Sequence, residues 1–337
     1  MKRFGLILFL IVVCFAACKK SSDNGNLIKL TPYKILPPAF YPDMVIPSDN
    51  EPCVEKIKLG RMLYYDPQLS NDGRYCAQCH LQQLGFTQTD MYLNVMPVLP
   101  HVNLAWYTNY MWDGSQKGSL EDLMLFEVKD FFKADLNKIN NIPQYKSLFK
   151  SYFGVDKITY KELAYAMAQF TRTMISKNSK YDKYLLGEAS LTNDEEEGRK
   201  IFFTEKGDCF HCHTNPMLSD NLMHNTGLDS LYNKEADKGH YNVTKNNLDL
   251  GKFRTANLHN VALRSYFMHD GRYKSLEEVV EFYNSGMRKV SNLDPIMTKP
   301  GKVNGLKLSD QEKYQLIQFL KTFTDNTYIS DTSFSAL

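Results

Sequence analysis

The sequence predicts an all-α protein made of two like halves. Three observations carry that expectation. Helix starts recur as capping boxes ahead of apolar faces, strand signals are scarce, and segments of the first half return in the second. Leu59-Gly60-Arg61-Met62-Leu63-Tyr64-Tyr65 returns as Glu197-Gly198-Arg199-Lys200-Ile201-Phe202-Phe203. Trp112-Asp113-Gly114, with Ser119-Leu120-Glu121-Asp122 after it, returns as His269-Asp270-Gly271, with Ser275-Leu276-Glu277-Glu278 after it.

The most telling repeat is Cys76-Ala77-Gln78-Cys79-His80 against Cys209-Phe210-His211-Cys212-His213. Each reads C-x-x-C-H, the attachment pattern of c-type haem. Two thiols three positions apart can add to the two vinyl groups on one edge of a haem. The next histidine can then bind the iron through an imidazole nitrogen. Three other readings compete: a thioredoxin-like redox pair, which needs a βαβ context that is missing here; half a zinc site; and structural disulfides. Two complete copies in an exported chain favour haem. Cys76, Cys79, Cys209 and Cys212 are the expected attachment points, and His80 and His213 the proximal ligands. The fold expected is two cytochrome-c-like domains packed face to face, over residues 49–188 and 189–330.

In chain order, Lys2 and Arg3 precede an apolar run, Phe4 to Ala17, that ends on Cys18. The run is short for a spanning helix and reads as an export signal. A cysteine after two alanines predicts a lipidated Cys18, so residues 1–18 are a lipoprotein signal. Residues 19–48 are polar and then Pro-rich, a tether and an extended arm. Of seven cysteines, Cys14 leaves with the signal, Cys18 is the anchor and four hold haem. Cys53 remains, and an inert buried thiol is expected there. Thr159-Tyr160-Lys161-Glu162 caps a helix with Leu163, Met167, Phe170 and Met174 on one face. Thr192-Asn193-Asp194-Glu195 caps the helix before the second motif. Ser309-Asp310-Gln311-Glu312 caps the last one, whose Leu316, Ile317, Leu320 and Phe323 share a face. At 337 residues there is chain for two cores, and a net charge of +2 gives no reason to expect nucleic acid.

The chain resembles the bacterial di-haem cytochrome c peroxidase family, which includes the di-haem enzymes that mature methylamine dehydrogenase. The resemblance spans about residues 50–327. It rests on Leu59-Gly60-Arg61, Asp66-Pro67-Gln68-Leu69-Ser70, Gly85-Phe86-Thr87, Asn103-Leu104-Ala105-Trp106 and Trp112-Asp113-Gly114. Ser179-Lys180-Tyr181-Asp182, Leu258-His259-Asn260-Val261, Met268-His269-Asp270-Gly271-Arg272 and the two haem motifs complete it. It implies a peroxide-binding N-terminal haem, an electron-receiving C-terminal haem, Trp112 as the inter-haem residue, a calcium ion near the haems and, in many relatives, a homodimer. It also implies reduction of hydrogen peroxide to water by electrons from a small cytochrome c or cupredoxin, outside the cytoplasm of a Gram-negative bacterium. The family's acid/base glutamine and glutamate align with Leu123 and Lys133, neither of which can serve.

His101 is the one histidine between His80 and Trp112, and family members often carry a ligand in this loop. A distal ligand and a merely packed histidine compete there. For the second haem, Tyr283, Met268 and Met287 compete. The family's peroxidases commonly have methionine at the place of Tyr283, and its methylamine-dehydrogenase-maturing enzymes have tyrosine. Seven residues after Leu276 comes Tyr283, and seven after Leu120 comes Glu127. Two turns separate each pair, so Glu127 is expected to face the first haem and replace the missing acid/base. A surface Glu127 paired with Lys129 or Lys133 is the competing reading. His211 is expected in solvent, His224, His240 and His259 as structural, and His269 as orienting its loop. Three functions follow: a peroxidase, an oxidase that modifies a partner protein, and a di-haem electron carrier.

Overall fold

The computed structural model describes residues 28–90 and 96–337. The expected signal, Cys14, Cys18 and the start of the tether lie outside these residues. The described chain is helical, with two small antiparallel pairs: Asn109–Tyr110 with Gln116–Lys117, and Met223–His224 with Phe253–Arg254. Among the described residues no helix is long and apolar enough to cross a membrane.

Each half is built on one close helix crossing. Val54–Tyr64 lies on Tyr160–Arg172, and Asn193–Phe202 lies on Asp310–Lys321. A glycine permits each approach: a Cβ on Gly60 would sit 1.9 Å from the carbonyl oxygen of Ala166, and one on Gly198 2.0 Å from that of Gln315. The capping boxes at Thr159, Thr192 and Ser309 form as the sequence predicts. Ser275 also caps its helix, but Glu278 reaches back to the Lys274 amide instead. Leu163, Met167 and Phe170 are buried on one side, Leu316, Ile317, Leu320 and Phe323 on the other.

The halves repeat a connection at their junction. Asn103 and Asn260 both adopt left-handed backbone, φ 55 and 59. The Asn103 side chain accepts the Ser176 amide at 3.0 Å, and the Asn260 side chain accepts the Asp325 amide at 2.8 Å. Each then starts a short 3-10 turn, Leu104–Trp106 or Val261–Leu263.

The two cores exchange segments near their boundary. Tyr181 packs against Phe319 and Phe323, so the Lys180–Leu185 helix already belongs to the second core. At the other end Tyr328 and Phe334 return to the first core. Hydrogen bonds drive this exchange: Asp325 accepts the amides of Lys177 and Asn178, and Arg61 donates to the carbonyls of Thr332 and Ser335. The arm docks too. Tyr41 is buried, with its hydroxyl 3.0 Å from Ser176 O and from His259 Nε2. Cys53 is buried, and burial pushes its thiol up, as expected of an inert cysteine.

Candidate di-haem site

In the first half the Cys76–Cys79 turn carries the motif, and the His80 amide donates to the Cys76 carbonyl. The ring of His80 donates from Nδ1 to the carbonyl of Phe86 at 3.0 Å, which leaves Nε2 as the ring nitrogen available. Phe86 offers that carbonyl because its backbone is left-handed, φ 60. The structure brings His101 to this place: its ring stacks on His80 with centroids 3.4 Å apart, a contact the rings would give up to a haem held between them. Its Nδ1 lies 3.0 Å from the hydroxyl of the buried Tyr64, so Nε2 is again the available nitrogen. Burial pushes both imidazoles down, His80 to about 4. Both are therefore neutral, the form that binds metal. Tyr328 donates to the His101 carbonyl at 2.5 Å, so the C-terminal tail holds this loop.

The second half repeats the arrangement. The His213 amide donates to the Cys209 carbonyl, and Nδ1 donates to the carbonyl of Leu218 at 3.0 Å, where φ is 50. Burial holds His213 down at about 4. A cavity opens above this motif, and Tyr283, Met268 and Met287 all line it. Trp112 lines it from the first half, with its indole N–H on the carbonyl of Pro97 at 2.6 Å. The phenol of Tyr283 is pushed up by burial and by the nearby Cys212 and Cys209.

Glu127 sits in a π-helical turn, Glu127–Phe131, that follows the Leu120–Phe126 helix. Tyr283 sits in the matching turn, Phe282–Gly286, after Leu276–Glu281. Burial pushes the Glu127 carboxyl up to about 7, and its charge is felt at Cys76 and Tyr64. It joins none of the ion pairs among the described residues, so the pairing with Lys129 or Lys133 does not form; both lysines are exposed. Leu123 is buried and apolar, as an acid/base position cannot be.

The other histidines are tied down. His240 Nδ1 donates to the Asp113 carbonyl, and His259 bonds Asn257 and Tyr41. His269 stacks on Phe253 with centroids 3.7 Å apart. Burial opposes the charged form of His224, yet the carboxylates of Asp220 and Asp294 at 2.8 and 2.6 Å push it up to about 12. His211 is not left in solvent. Glu205 and Lys299 lie 3.2 and 3.0 Å from its ring, in a surface charge network. Sequence reasoning missed Tyr64, because nothing in its own segment marks it as a partner for His101.

The family model described as di-haem cytochrome c peroxidase matches residues 54–190. The cytochrome-c peroxidase IdrP1 of Denitromonas iodatirespirans is 30% identical over 95% of this chain and 92% of its own. The chain belongs to the di-haem cytochrome c peroxidase family. The methylamine utilization protein MauG of Methylorubrum extorquens is 29% identical over 82% of this chain and 80% of its own. A crystal structure of a MauG-like protein associated with microbial copper homeostasis superposes with a TM-score of 0.80. It shares 30% identity and covers 90% of this chain and 99% of that one. The di-haem peroxidase family carries two c-type haems, and the residues present fit them. Each half offers two unpaired thiols three positions apart and, next to them, a neutral imidazole with one bonded and one available nitrogen.

Proposed function

We propose that this chain is a di-haem c-type peroxidase that reduces hydrogen peroxide to water with electrons from a small cytochrome c or cupredoxin. The observation that carries this reading is Glu127, half-buried beside Cys76 with a carboxyl pushed up to about 7. The reaction consumes one peroxide, two electrons and two protons and releases two waters. The haems, when bound, supply the irons that exchange electrons with peroxide and donor. Cys76, Cys79, Cys209 and Cys212 would hold them, and His80 and His213 would ligate the irons. His101 closes the first site in the resting protein and leaves on activation. Glu127 then takes a proton from one peroxide oxygen and returns it to the other, in place of the family's glutamate. Trp112 is the relay between the halves. Tyr283 would be the further ligand at the C-terminal haem, ahead of Met268 and Met287, which line the same cavity.

A second reading is an oxidase that modifies a partner protein, as in the methylamine-dehydrogenase-maturing enzymes. The tyrosine at 283 favours it, because a phenolate stabilises oxidised iron where a thioether favours reduced iron. Export as an envelope lipoprotein anchored through Cys18 belongs to either reading. A homodimer and a calcium ion rest on the resemblance alone. Each described cluster of acidic and histidine side chains has another use: Cys212 is a haem thiol, Lys299 joins Glu205 and Asp208, and Arg272 joins Asp229 and Asp270. Peroxide turnover with a reduced small cytochrome tests the proposal. Rapid, stoichiometric oxidation of the donor supports a peroxidase, and none, with both haems loaded, rejects it.

A further inference from the structure

Two guanidinium groups, Arg254 and Arg264, line the cavity beside Cys209, Cys212 and His213. Arg254 is 5% exposed, and neither residue takes part in any ion pair among the described residues. Arg254 donates from Nε to the Met111 carbonyl at 3.0 Å, while its Nη1 is buried with no hydrogen-bond partner. Arg264 donates from Nη2 to the carbonyls of Asn257 and His259, while its Nε is buried without a partner. Tyr107 lies between them, with Arg254 over its ring at 5.7 Å. Burial pushes both guanidiniums down, each to about 10, and the charge of Arg254 adds to the shift at Arg264. Arg254 is buried and Arg264 half-buried, and a cation with an orphaned buried donor costs several kcal/mol unless an anion meets it. Among the described residues no carboxylate does so. Elsewhere the protein follows the rule: the buried Arg172 is met by Glu121.

We propose that Arg254 and Arg264 form a carboxylate-binding pair for the propionates of the C-terminal haem, and that Arg254 couples this anion site to the segment carrying Trp112. The coupling is direct. The Arg254 amide donates to the Trp112 carbonyl at 2.8 Å, and its Nε holds the preceding residue. One residue of the second half thus joins the haem edge to the relay tryptophan of the first. Arginine suits the task because its planar fork binds a carboxylate through two parallel hydrogen bonds and stays charged when buried.

The inference rests on the di-haem reading, so the experiment separates the two. Intact mass of wild-type protein matured in a cytochrome-c-competent host counts the haems first; fewer than two overturns the di-haem reading itself. With two present, the potential of each haem and the propionate-bending band in resonance Raman are recorded for Arg254→Gln, Arg264→Gln and Arg254→Lys. Removing a cation favours the ferric state. Arg254→Gln is expected to cut the reduced fraction of the C-terminal haem about tenfold at fixed potential, ~59 mV for one electron. Its propionate band moves, and the N-terminal haem keeps its potential. Arg254→Lys keeps the charge and loses the fork, so the band moves while the reduced-to-oxidised ratio stays within about threefold of wild type. Unchanged potentials and bands in both glutamine variants, with haems loaded, overturn the pairing. Should Arg254→Gln fail to mature, an unmoved band in Arg254→Lys overturns it equally.

Discussion

Glu127 and Tyr283 stand at equivalent points of the two halves, each in the π-helical turn that ends a serine-capped helix. A π turn widens the helical ladder by a residue and re-aims the side chains it carries. In one half it carries a carboxyl beside Cys76, in the other a phenol beside Cys212 and Cys209. On the proposed function, the same backbone device would serve proton handling at one haem site and ligation at the other.

Glu127→Gln should lower peroxide turnover by about 10²-fold or more with both haems retained. The pH profile gives a second reading. Burial raises the folded-state pKa of Glu127 to about 7, above the ordinary carboxylate value, so the native state holds this proton more tightly than the unfolded chain. Its contribution to stability is present at low pH and is lost as pH rises through about 7. Thermal melts should therefore show the glutamine variant gaining on wild type between pH 5 and pH 8. A constant gap between the two melts across that range would mean the carboxyl is not desolvated.

Tyr64→Phe removes the partner of His101 Nδ1 and leaves that nitrogen buried, at a cost of about 1–3 kcal/mol. The low-spin fraction at the N-terminal haem should fall in the resting protein. His101→Gly should turn that haem five-coordinate and high-spin. An unchanged low-spin signal in both variants would show that His101 only packs there.

Tyr283→Met should raise the potential of the C-terminal haem by about 59 mV or more, a tenfold gain in the reduced form. If spectroelectrochemistry finds neither the potential nor the ligand-field bands altered, the ligand is Met268 or Met287, which line the same cavity.

The buried pair Glu121–Arg172 offers a test independent of the haems. Both carboxylate oxygens accept from the guanidinium, at 2.9 and 2.7 Å, and Asn50 adds a third bond. Glu121→Ala strands a buried cation and should destabilise the protein by about 3–5 kcal/mol in chemical denaturation. A loss under about 1 kcal/mol would mean that water reaches Arg172.

Local chemistry made much of this protein legible. The C-x-x-C-H motifs and the capping boxes each span a handful of residues, so spacing alone specifies them. The repeat around Gly60 and Gly198 was visible as letters, and the structure supplies its reason in two helix crossings too close for a Cβ. The inward-facing position of Glu127 was an expectation from helical period and the offset of Leu120, whereas the π turn that carries it was not legible.

By itself the sequence determined the helical class, the doubling of the chain and the residues able to attach haem, because these depend on contacts within a few turns. Only the tertiary structure decided which distant groups meet. Tyr64 finds His101 across 37 positions, and Tyr328 reaches the same loop across 227. The tail beyond Asp325 returns to the first core, and Lys180–Leu185 joins the second, through hydrogen bonds and ring contacts that no local pattern encodes. Arg254 and Arg264 read in sequence as ordinary charges. Only folding encloses Arg254 and the Nε of Arg264 where, among the described residues, no acidic side chain pairs with them, and a charge taken out of water must find its counterpart.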